Sequence, residues 1–311
     1  MTQNKTFQIL GALAGLALGF GLFSALLFWM EDKSAHWVSL LHNFSIFGFL
    51  GILILSHFLM LCGARKWAVL SHALDGVAGR EPKVGFFLRH YLWQNWIGQF
   101  VPPTFAIVLG RGFAARRLAT CGFAVSEPTS NSPTQVGVRG GLYSGLLDQA
   151  MEFALLVGMI PAGAMFLWAH VSVGIFFLLS VLGIIAAIGG IYAMAFLFQK
   201  KLLPFILPLL VWSVVRVFLI IVRLVLGSMT LGLMLDPLAI IAAMPMVSLF
   251  ALLPLTPGNL GIIEWGWVGV MASAGSDPVQ VGLYAIGFRA LVLAAQTLLV
   301  WVHEFRLYFR T

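Results

Sequence analysis

Long apolar stretches alternate with short polar connections along almost the whole chain. A helix needs about 20 mostly apolar residues to cross the hydrocarbon core of a bilayer. Six stretches reach this length without interruption, and we predict a membrane-spanning helix in each of residues 7–30, 37–62, 138–160, 171–198, 203–227 and 279–303. The pattern therefore predicts an all-α fold, a polytopic integral membrane helix bundle.

Two further apolar segments, residues 86–118 and 237–275, are interrupted by prolines. The first contains Phe-Val-Pro-Pro-Thr-Phe at 100–105, and the second contains Leu-Pro-Leu-Thr-Pro-Gly-Asn-Leu-Gly-Ile-Ile-Glu at 253–264. Unwound chain at membrane depth is tolerated only where it is buried in protein or lines a watery cavity. We predict that both segments are re-entrant or broken helices and that the second break marks a functional site.

The composition is that of an integral membrane protein throughout. Of the 311 residues, 60% are hydrophobic and 9% are charged, and the mean hydropathy is +0.99. No polar stretch is long enough for a separate soluble domain, so residues 1–311 are predicted to form one transmembrane domain. The first apolar run exceeds the core of a signal peptide and lacks a small-residue cleavage site, so we predict a retained span.

Basic residues are distributed asymmetrically if each broken segment returns to the face from which it enters. With the N-terminus inside, every Lys and Arg outside the predicted spans except Lys33 then lies at the cytoplasmic face or its rim, including Arg65 and Lys66. This asymmetry satisfies the positive-inside rule. We therefore predict a multi-pass protein of the inner (plasma) membrane with both termini in the cytoplasm.

The two broken segments enter from opposite faces in this topology. That arrangement suggests two inverted-topology repeats, residues 1–135 and 136–311, and transporters built in this way place the substrate site near the midplane. A chance likeness between the two breaks is the alternative, because proline is frequent in membrane helices.

Ionisable residues occur at membrane depth in the predicted spans and in the second broken segment: Asp148, Glu152, Arg216, Arg223, Glu264 and Arg289. A charged side chain near the bilayer centre costs about 2.5 kcal/mol or more, so these side chains should face the bundle interior and pair. Asp148 and Glu152 are spaced to share one helix face, as are Arg216 and Arg223. Two interpretations stay open: ion pairs that fix helix register, or a polar path for a substrate.

A second candidate site lies at the Pro-Gly break. We expect Glu264 to pair with Arg289, and a substrate anion to compete with Glu264 for the arginine. The backbone N–H groups that follow the proline form a helix N-terminus, which favours a phosphate or carboxylate. Gly258, Asn259 and Gly261 are therefore predicted to bind an anion, the alternative being glycines that only permit close helix contact.

The sequence lacks the common motifs for metal binding, phosphate binding and nucleophilic hydrolysis. Cys62 and Cys121 have no metal-ligand spacing, and no two histidines lie four residues apart. Neither a phosphate-binding Gly-Lys-Ser/Thr loop nor a Gly-x-Ser-x-Gly elbow is present. We expect no metal, no cofactor and no nucleic-acid partner.

The second break resembles the signature of the lysylphosphatidylglycerol synthase transmembrane family. The motif runs from Leu253 to Glu264 and is followed by Arg289 in the last helix. Upstream, Ala-Arg-Lys-Trp at 64–67, a Pro-Pro break followed by Gly-Arg at 110–111, and Leu-Asp-Gln-Ala-Met-Glu at 147–152 occur in the family's usual order. The resemblance covers most of the chain.

This resemblance implies a flippase-like bundle, similar to the membrane part of enzymes that make aminoacylated phosphatidylglycerol and move it to the outer leaflet. Standalone relatives without the soluble aminoacyl-transferase domain are linked to envelope lipids, including polyprenyl-linked glycans and hopanoids. This chain shows no such domain, so we expect no enzyme activity. The family commonly has a second glycine at the position of Asn259 and a basic residue at that of Ile263.

The expected function is lipid translocation, in which an anionic phospholipid or an isoprenoid (polyprenyl-linked) lipid moves between leaflets. The head group would cross a cavity lined by Arg111, Asp148, Glu152, Arg216, Gly258, Asn259, Gly261, Glu264 and Arg289. An ion-coupled permease for a small solute also uses broken helices and buried carboxylates. An intramembrane lipid-modifying enzyme with Asp148 and Glu152 as an acid pair is the third alternative. The expected partner is a membrane lipid, together with further copies of the chain in a homo-oligomer.

Overall fold

The computed structural model describes residues 17–18, 20–28, 40, 42–75, 84–101, 103–120, 133–198, 200–251 and 256–308. Within these ranges the chain is helical and contains no strand. The helices with defined bounds are α1 Ile46–Asp75, α2 Val84–Ile97, α3 Pro103–Thr120, α4 Pro133–Ala169, α5 Val173–Phe198, α6 Leu203–Thr230, α7 Pro237–Phe250, α8 Ile262–Ser273 and α9 Pro278–Tyr308. The predicted all-α membrane helix bundle is confirmed.

Five of these helices are long and apolar enough to cross a membrane. The spanning parts are residues 46–71 of α1, 140–169 of α4, 173–197 of α5, 203–230 of α6 and 278–306 of α9. They match five of the six predicted spans. The remaining one, residues 7–30, lies partly outside the described residues, and its described residues 17–18 and 20–28 are helical.

The first of these helices differs most from its predicted bounds, 37–62. It begins at Ile46, where the Ser45 hydroxyl accepts a hydrogen bond from the Gly48 N–H at 3.1 Å, a local cap for an N–H group that lacks an intrahelical partner. It continues to Asp75 because the Ala-Arg-Lys-Trp segment stays helical and its lysine is buried against α4. Lys66 is therefore buried in the bundle, and the predicted end of this helix at residue 62 is wrong; the membrane face near which Lys66 lies stays a prediction.

The two broken segments form helical hairpins. The first hairpin pairs α2 with α3, and the second pairs α7 with α8. The arms α2, α7 and α8 have 14, 14 and 12 residues, which gives lengths of about 18–21 Å at 1.5 Å per residue. Each is shorter than the roughly 30 Å hydrocarbon core. Pro102 and residues 252–255 of the two breaks lie outside the described residues.

The hairpins enter the bundle from opposite ends. α2 lies beside the end of α9, where Arg89 pairs with Glu304. α8 instead ends beside the end of α4, where the Trp168 indole donates to the Ser273 hydroxyl at 3.2 Å. α9 starts next to α8 and runs the length of the bundle to α2, so these two ends are opposite. Inverted repeats would produce this arrangement; the repeats, the two halves and the cytoplasmic side stay predictions.

Glycine contacts bring α4 and α5 together. A Cβ atom added to Gly183 would overlap the carbonyl of Gly158, and one added to Gly158 would overlap that of Gly183. Small residues at helix interfaces allow such close backbone approach in membranes, where van der Waals contact drives association.

Gly183→Ala should therefore lower stability by about 1–3 kcal/mol, the usual cost of overpacking. The measurement is unfolding of the purified protein by denaturing detergent. Gly189→Ala is the matched control, because Gly189 lies on the same helix with no atom within 4 Å of an added Cβ. Equal effects of the two substitutions would contradict the assigned contact.

Candidate functional site

Five charged side chains from four helices form one buried group, which we call the α4 charge cluster: Lys66 of α1, Arg111 of α3, Asp148 and Glu152 of α4, and Arg216 of α6. The side chains of Lys66, Arg111 and Asp148 are fully buried, and Glu152 is 12% exposed. The first hairpin and three spanning helices thus meet at these charges.

Asp148 bridges α1 and α3. Its Oδ1 lies 2.6 Å from Lys66 Nζ, and its Oδ2 accepts from Arg111 Nη2. Arg111 Nη1 also donates to the Ser144 carbonyl at 3.0 Å, one turn earlier on α4. Removing one partner of a buried ion pair leaves an uncompensated charge, so these contacts strongly restrain the position of the first hairpin.

Glu152 lies one turn further along α4 and faces α6. Its Oε1 accepts from Lys66 Nζ at 3.0 Å and from Arg216 Nη1. The predicted pairing of the two acids with two arginines is correct for Glu152 and Arg216. For Asp148 the partners are Lys66 and Arg111, rather than the second arginine of α6.

That second arginine, Arg223, has no carboxylate partner among the described residues. Its Nη1 donates to the Ser56 hydroxyl at 3.4 Å, and its guanidinium lies 5.8 Å from the Phe288 ring centroid. Phe288 precedes Arg289 in α9. Arg223 therefore contacts α9 at the residue that precedes Arg289.

Two aromatic side chains, Trp67 of α1 and Tyr91 of α2, lie against the arginines of the cluster. The guanidinium carbon of Arg111 lies 5.1 Å from the Trp67 ring and 5.8 Å from the Tyr91 ring, and that of Arg216 lies 5.3 Å from Tyr91. Tyr91 reaches this position because Gly63 of α1 has no side chain; an added Cβ would overlap the phenol. Cations over aromatic faces gain more when they are desolvated, as here.

The second candidate site joins the tips of both hairpins, and we call it the tip cluster. Arg289 Nη1 donates to Glu264 Oε1 at 2.6 Å, which confirms the expected pair. Its Nη2 donates to the Gly258 carbonyl at 2.7 Å and lies 3.5 Å from the Gln99 carbonyl in the turn of the first hairpin. One arginine of α9 therefore contacts the turns of both hairpins.

The turn before α8 uses positive backbone angles. Gly258, Asn259 and Gly261 have φ of 59°, 54° and 81°, and glycine reaches this region at little cost. The Gly261 N–H donates to Glu264 Oε2 at 2.7 Å, and the Asn259 N–H donates to the Thr256 carbonyl at 3.0 Å. Two of the N–H groups predicted to bind an anion thus already have internal partners, and their role with a ligand stays a prediction.

An apolar groove lies on the second hairpin beside the tip cluster. Its volume is about 420 Å³, and its walls include Trp168, Phe250 and Trp265. Ile262 and Trp265, which flank Glu264 along α8, also line it. The polar tip cluster and an apolar surface therefore share one short helix.

Sequence reasoning missed Lys66, Tyr91 and Gln99. Lys66 was assigned to a connection, although the apolar residues Ala68, Val69 and Leu70 that follow it are a signal that the helix continues. Tyr91 and Gln99 carry no charge and form no motif, so only the fold brings them to the two clusters.

Comparison with known proteins gives no match: no protein-family model, no curated protein and no solved structure matches the chain. The resemblance to the lysylphosphatidylglycerol synthase transmembrane family stays a prediction.

Proposed function

We propose that this protein is a lipid translocase that moves an anionic phospholipid or an isoprenoid-linked envelope lipid between leaflets. The observation that carries the proposal is an excess of positive charge inside the bundle, in the α4 charge cluster and at Arg223, next to the site where two hairpins from opposite ends meet. The cations outnumber the carboxylates by five to three: Lys66, Arg111, Arg216, Arg223 and Arg289 compared with Asp148, Glu152 and Glu264. Intramembrane charge is costly, and residues that bear it commonly mark a substrate pathway.

The arginines also have the spacing of a pathway. Arg216 belongs to the α4 charge cluster, and Arg223 lies two turns further along α6. The Arg223 guanidinium lies over the ring of Phe288, the residue before Arg289. Guanidinium groups bind phosphate and carboxylate through bidentate hydrogen bonds. An anionic head group would pass between successive cations in place of its hydration shell.

The apolar groove on α8 suits the other half of such a substrate. Apolar walls can accept a hydrocarbon chain, whereas a polar solute would lose its hydrogen bonds with water there without replacement. This feature favours a lipid over the solute of an ion-coupled permease. The proposal also includes membership of the lysylphosphatidylglycerol synthase transmembrane family, the inner membrane as the location, cytoplasmic termini and a lipid partner.

Glu264→Gln and Arg289→Gln are expected to abolish translocation while the protein still inserts, because each removes the ion pair of the tip cluster. The measurement uses proteoliposomes with phosphatidylglycerol labelled on its head group, and dithionite quenches the label in the outer leaflet. Arg89→Gln and Glu304→Gln are matched controls, since that pair has the same chemistry on the exposed surface.

Wild-type translocation rates in both tip variants would contradict the proposed function. Coupled uptake of a soluble solute by unlabelled proteoliposomes would support the permease instead. Conversion of the labelled lipid into a new product would support the lipid-modifying enzyme.

A further inference from the structure

The α4 charge cluster holds one more positive than negative charge. Among the described residues, the carboxylates that pair with Lys66, Arg111 and Arg216 are those of Asp148 and Glu152, and every one of these side chains is buried or nearly so. An unpaired charge in a low-dielectric interior is strongly unfavourable unless a counter-charge is bound. A ligand with a single negative charge would neutralise the cluster.

Several hydrogen-bond donors around the cluster lack partners among the described residues. They are Tyr91 Oη, Gln94 Nε2, Arg111 Nε and Arg216 Nε, and the acceptor Gln94 Oε1 also lacks a partner in the described part of the chain. Tyr91 is fully buried and Gln94 is 4% exposed. Buried polar groups in proteins nearly always have a hydrogen-bond partner, so four such donors in one neighbourhood indicate a ligand that accepts hydrogen bonds.

The donors belong to neighbouring side chains. Both guanidinium groups lie over the Tyr91 ring, at 5.8 Å and 5.3 Å. Gln94 follows Tyr91 by about one turn of α2, and its side chain lies against Gly110, the residue before Arg111, where an added Cβ would overlap it. Gly110 therefore leaves room for this amide beside the arginine.

We propose that the α4 charge cluster, together with Tyr91 and Gln94, is a binding site for a phosphate oxyanion with one negative charge. Guanidinium groups match the geometry of phosphate oxygens, and hydrogen bonds to a charged acceptor are about twice as strong as neutral ones. Glu152 is the most exposed acid of the cluster, and its Oε1 serves both Lys66 and Arg216, so the anion would share these two cations with it. That the oxyanion is a lipid phosphodiester rests on the proposed translocation.

A purely structural role for the cluster makes a different prediction. Ion pairs that only hold α1, α3, α4 and α6 together have no need of Tyr91 Oη or of the Gln94 amide. Removing these groups would then leave ligand binding untouched. The two roles are therefore separated by variants that delete a donor without breaking an internal contact.

The test uses the full chain purified in a mild non-ionic detergent without phosphate buffer. Binding is measured by calorimetry with dihexanoyl phosphatidylglycerol, inorganic phosphate and dihexanoylglycerol, which lacks phosphate. We expect phosphatidylglycerol to bind and dihexanoylglycerol not to bind. Tyr91→Phe and Gln94→Met should each weaken phosphatidylglycerol binding by about tenfold, the loss of one hydrogen bond to a charged group, without lowering the thermal unfolding midpoint of the free protein.

Tyr284→Phe is the matched control. Tyr284 is also fully buried, but its hydroxyl donates to the Leu224 carbonyl at 3.2 Å. Its removal should lower the unfolding midpoint and leave phosphatidylglycerol affinity at the wild-type value.

The outcomes separate the site from the proposed function. Binding of inorganic phosphate as tight as that of phosphatidylglycerol, with the same loss in Tyr91→Phe, would support the oxyanion site and assign it to free phosphate instead of a lipid. Unchanged affinity in Tyr91→Phe and Gln94→Met, or no binding of either phosphate compound, would overturn the site even if translocation is observed. Phosphate binding by a protein that does not translocate lipid would overturn the translocase alone.

Discussion

Asp148→Ala is expected to destabilise the protein by about 3–5 kcal/mol, the cost of leaving buried charges without their partner. The substitution removes the carboxylate that holds both Lys66 and Arg111. It also raises the excess positive charge of the α4 charge cluster from one to two. The measurement is the free energy of unfolding of the purified protein, obtained by titration with denaturing detergent.

Variants that change the net charge of the α4 charge cluster test this prediction further. Arg111→Leu should cost less than Asp148→Ala, because it lowers the excess charge to zero and leaves Lys66 with Asp148. The double variant Asp148→Leu with Arg111→Leu restores the wild-type excess and should recover part of the stability. Asp277→Ala is the control for loss of an aspartate, since its Oδ1 caps α9 through the Val279 N–H at 3.0 Å and should cost about 1 kcal/mol. If Asp148→Ala costs no more than this control, the buried cluster as described is wrong.

The membrane fold is largely determined by features that can be read along the chain. Apolar length alone locates the spans in α4, α5, α6 and α9 to within a turn or two at most ends, because a helix that crosses hydrocarbon must satisfy its backbone internally. The prolines in 86–118 and 237–275 likewise predict interrupted helices. The end of α1 was missed because Lys66 was judged from its charge, whereas burial beside Asp148 makes that charge compatible with the interior.

The sites were less predictable because they depend on contacts between distant residues. The spacing of Asp148 and Glu152 on one helix face is local and was predicted correctly. Their partners come from α1, α3 and α6, so choosing between Arg111 and Arg223 for Asp148 requires the arrangement of the first hairpin. Tyr91 and Gln94 are ordinary interior residues in the sequence, and they gain significance only from the fold, which places Tyr91 beside two guanidinium groups and Gln94 against Gly110.

Contact between the two hairpin tips is the feature with least support in the sequence. Each break predicts unwound chain at membrane depth, but no feature of the sequence predicts that the two turns are in contact. The contact arises because Gly258 takes a left-handed conformation that brings it against the Gln99 carbonyl. Arg289 then reaches both turns from α9.

Gly258→Ala is expected to separate the hairpin tips and to abolish translocation. An alanine at φ 59° costs about 1–2 kcal/mol for its left-handed conformation. Its Cβ would also overlap the Gln99 carbonyl and approach Arg289 Nη2 to 2.9 Å, and overpacking of this kind adds about 1–3 kcal/mol. The overlapping atom belongs to the backbone, so a side-chain rotation cannot relieve it, and the turn of the first hairpin must move.

Gly275→Ala is the control that separates the effect of the tip contact from the conformational cost of a left-handed alanine. Gly275 has φ of 92° and no atom within 4 Å of an added Cβ, so this control carries a left-handed alanine without the overlap. Hydrogen exchange of the turn at residues 98–101 should rise in Gly258→Ala and stay at the wild-type level in Gly275→Ala, because only the first substitution pushes on Gln99. Equal exchange and equal stability in the two variants would show that the tips do not support each other. Raised exchange with normal lipid movement would instead separate the tip contact from translocation, which the proposed function requires to be coupled.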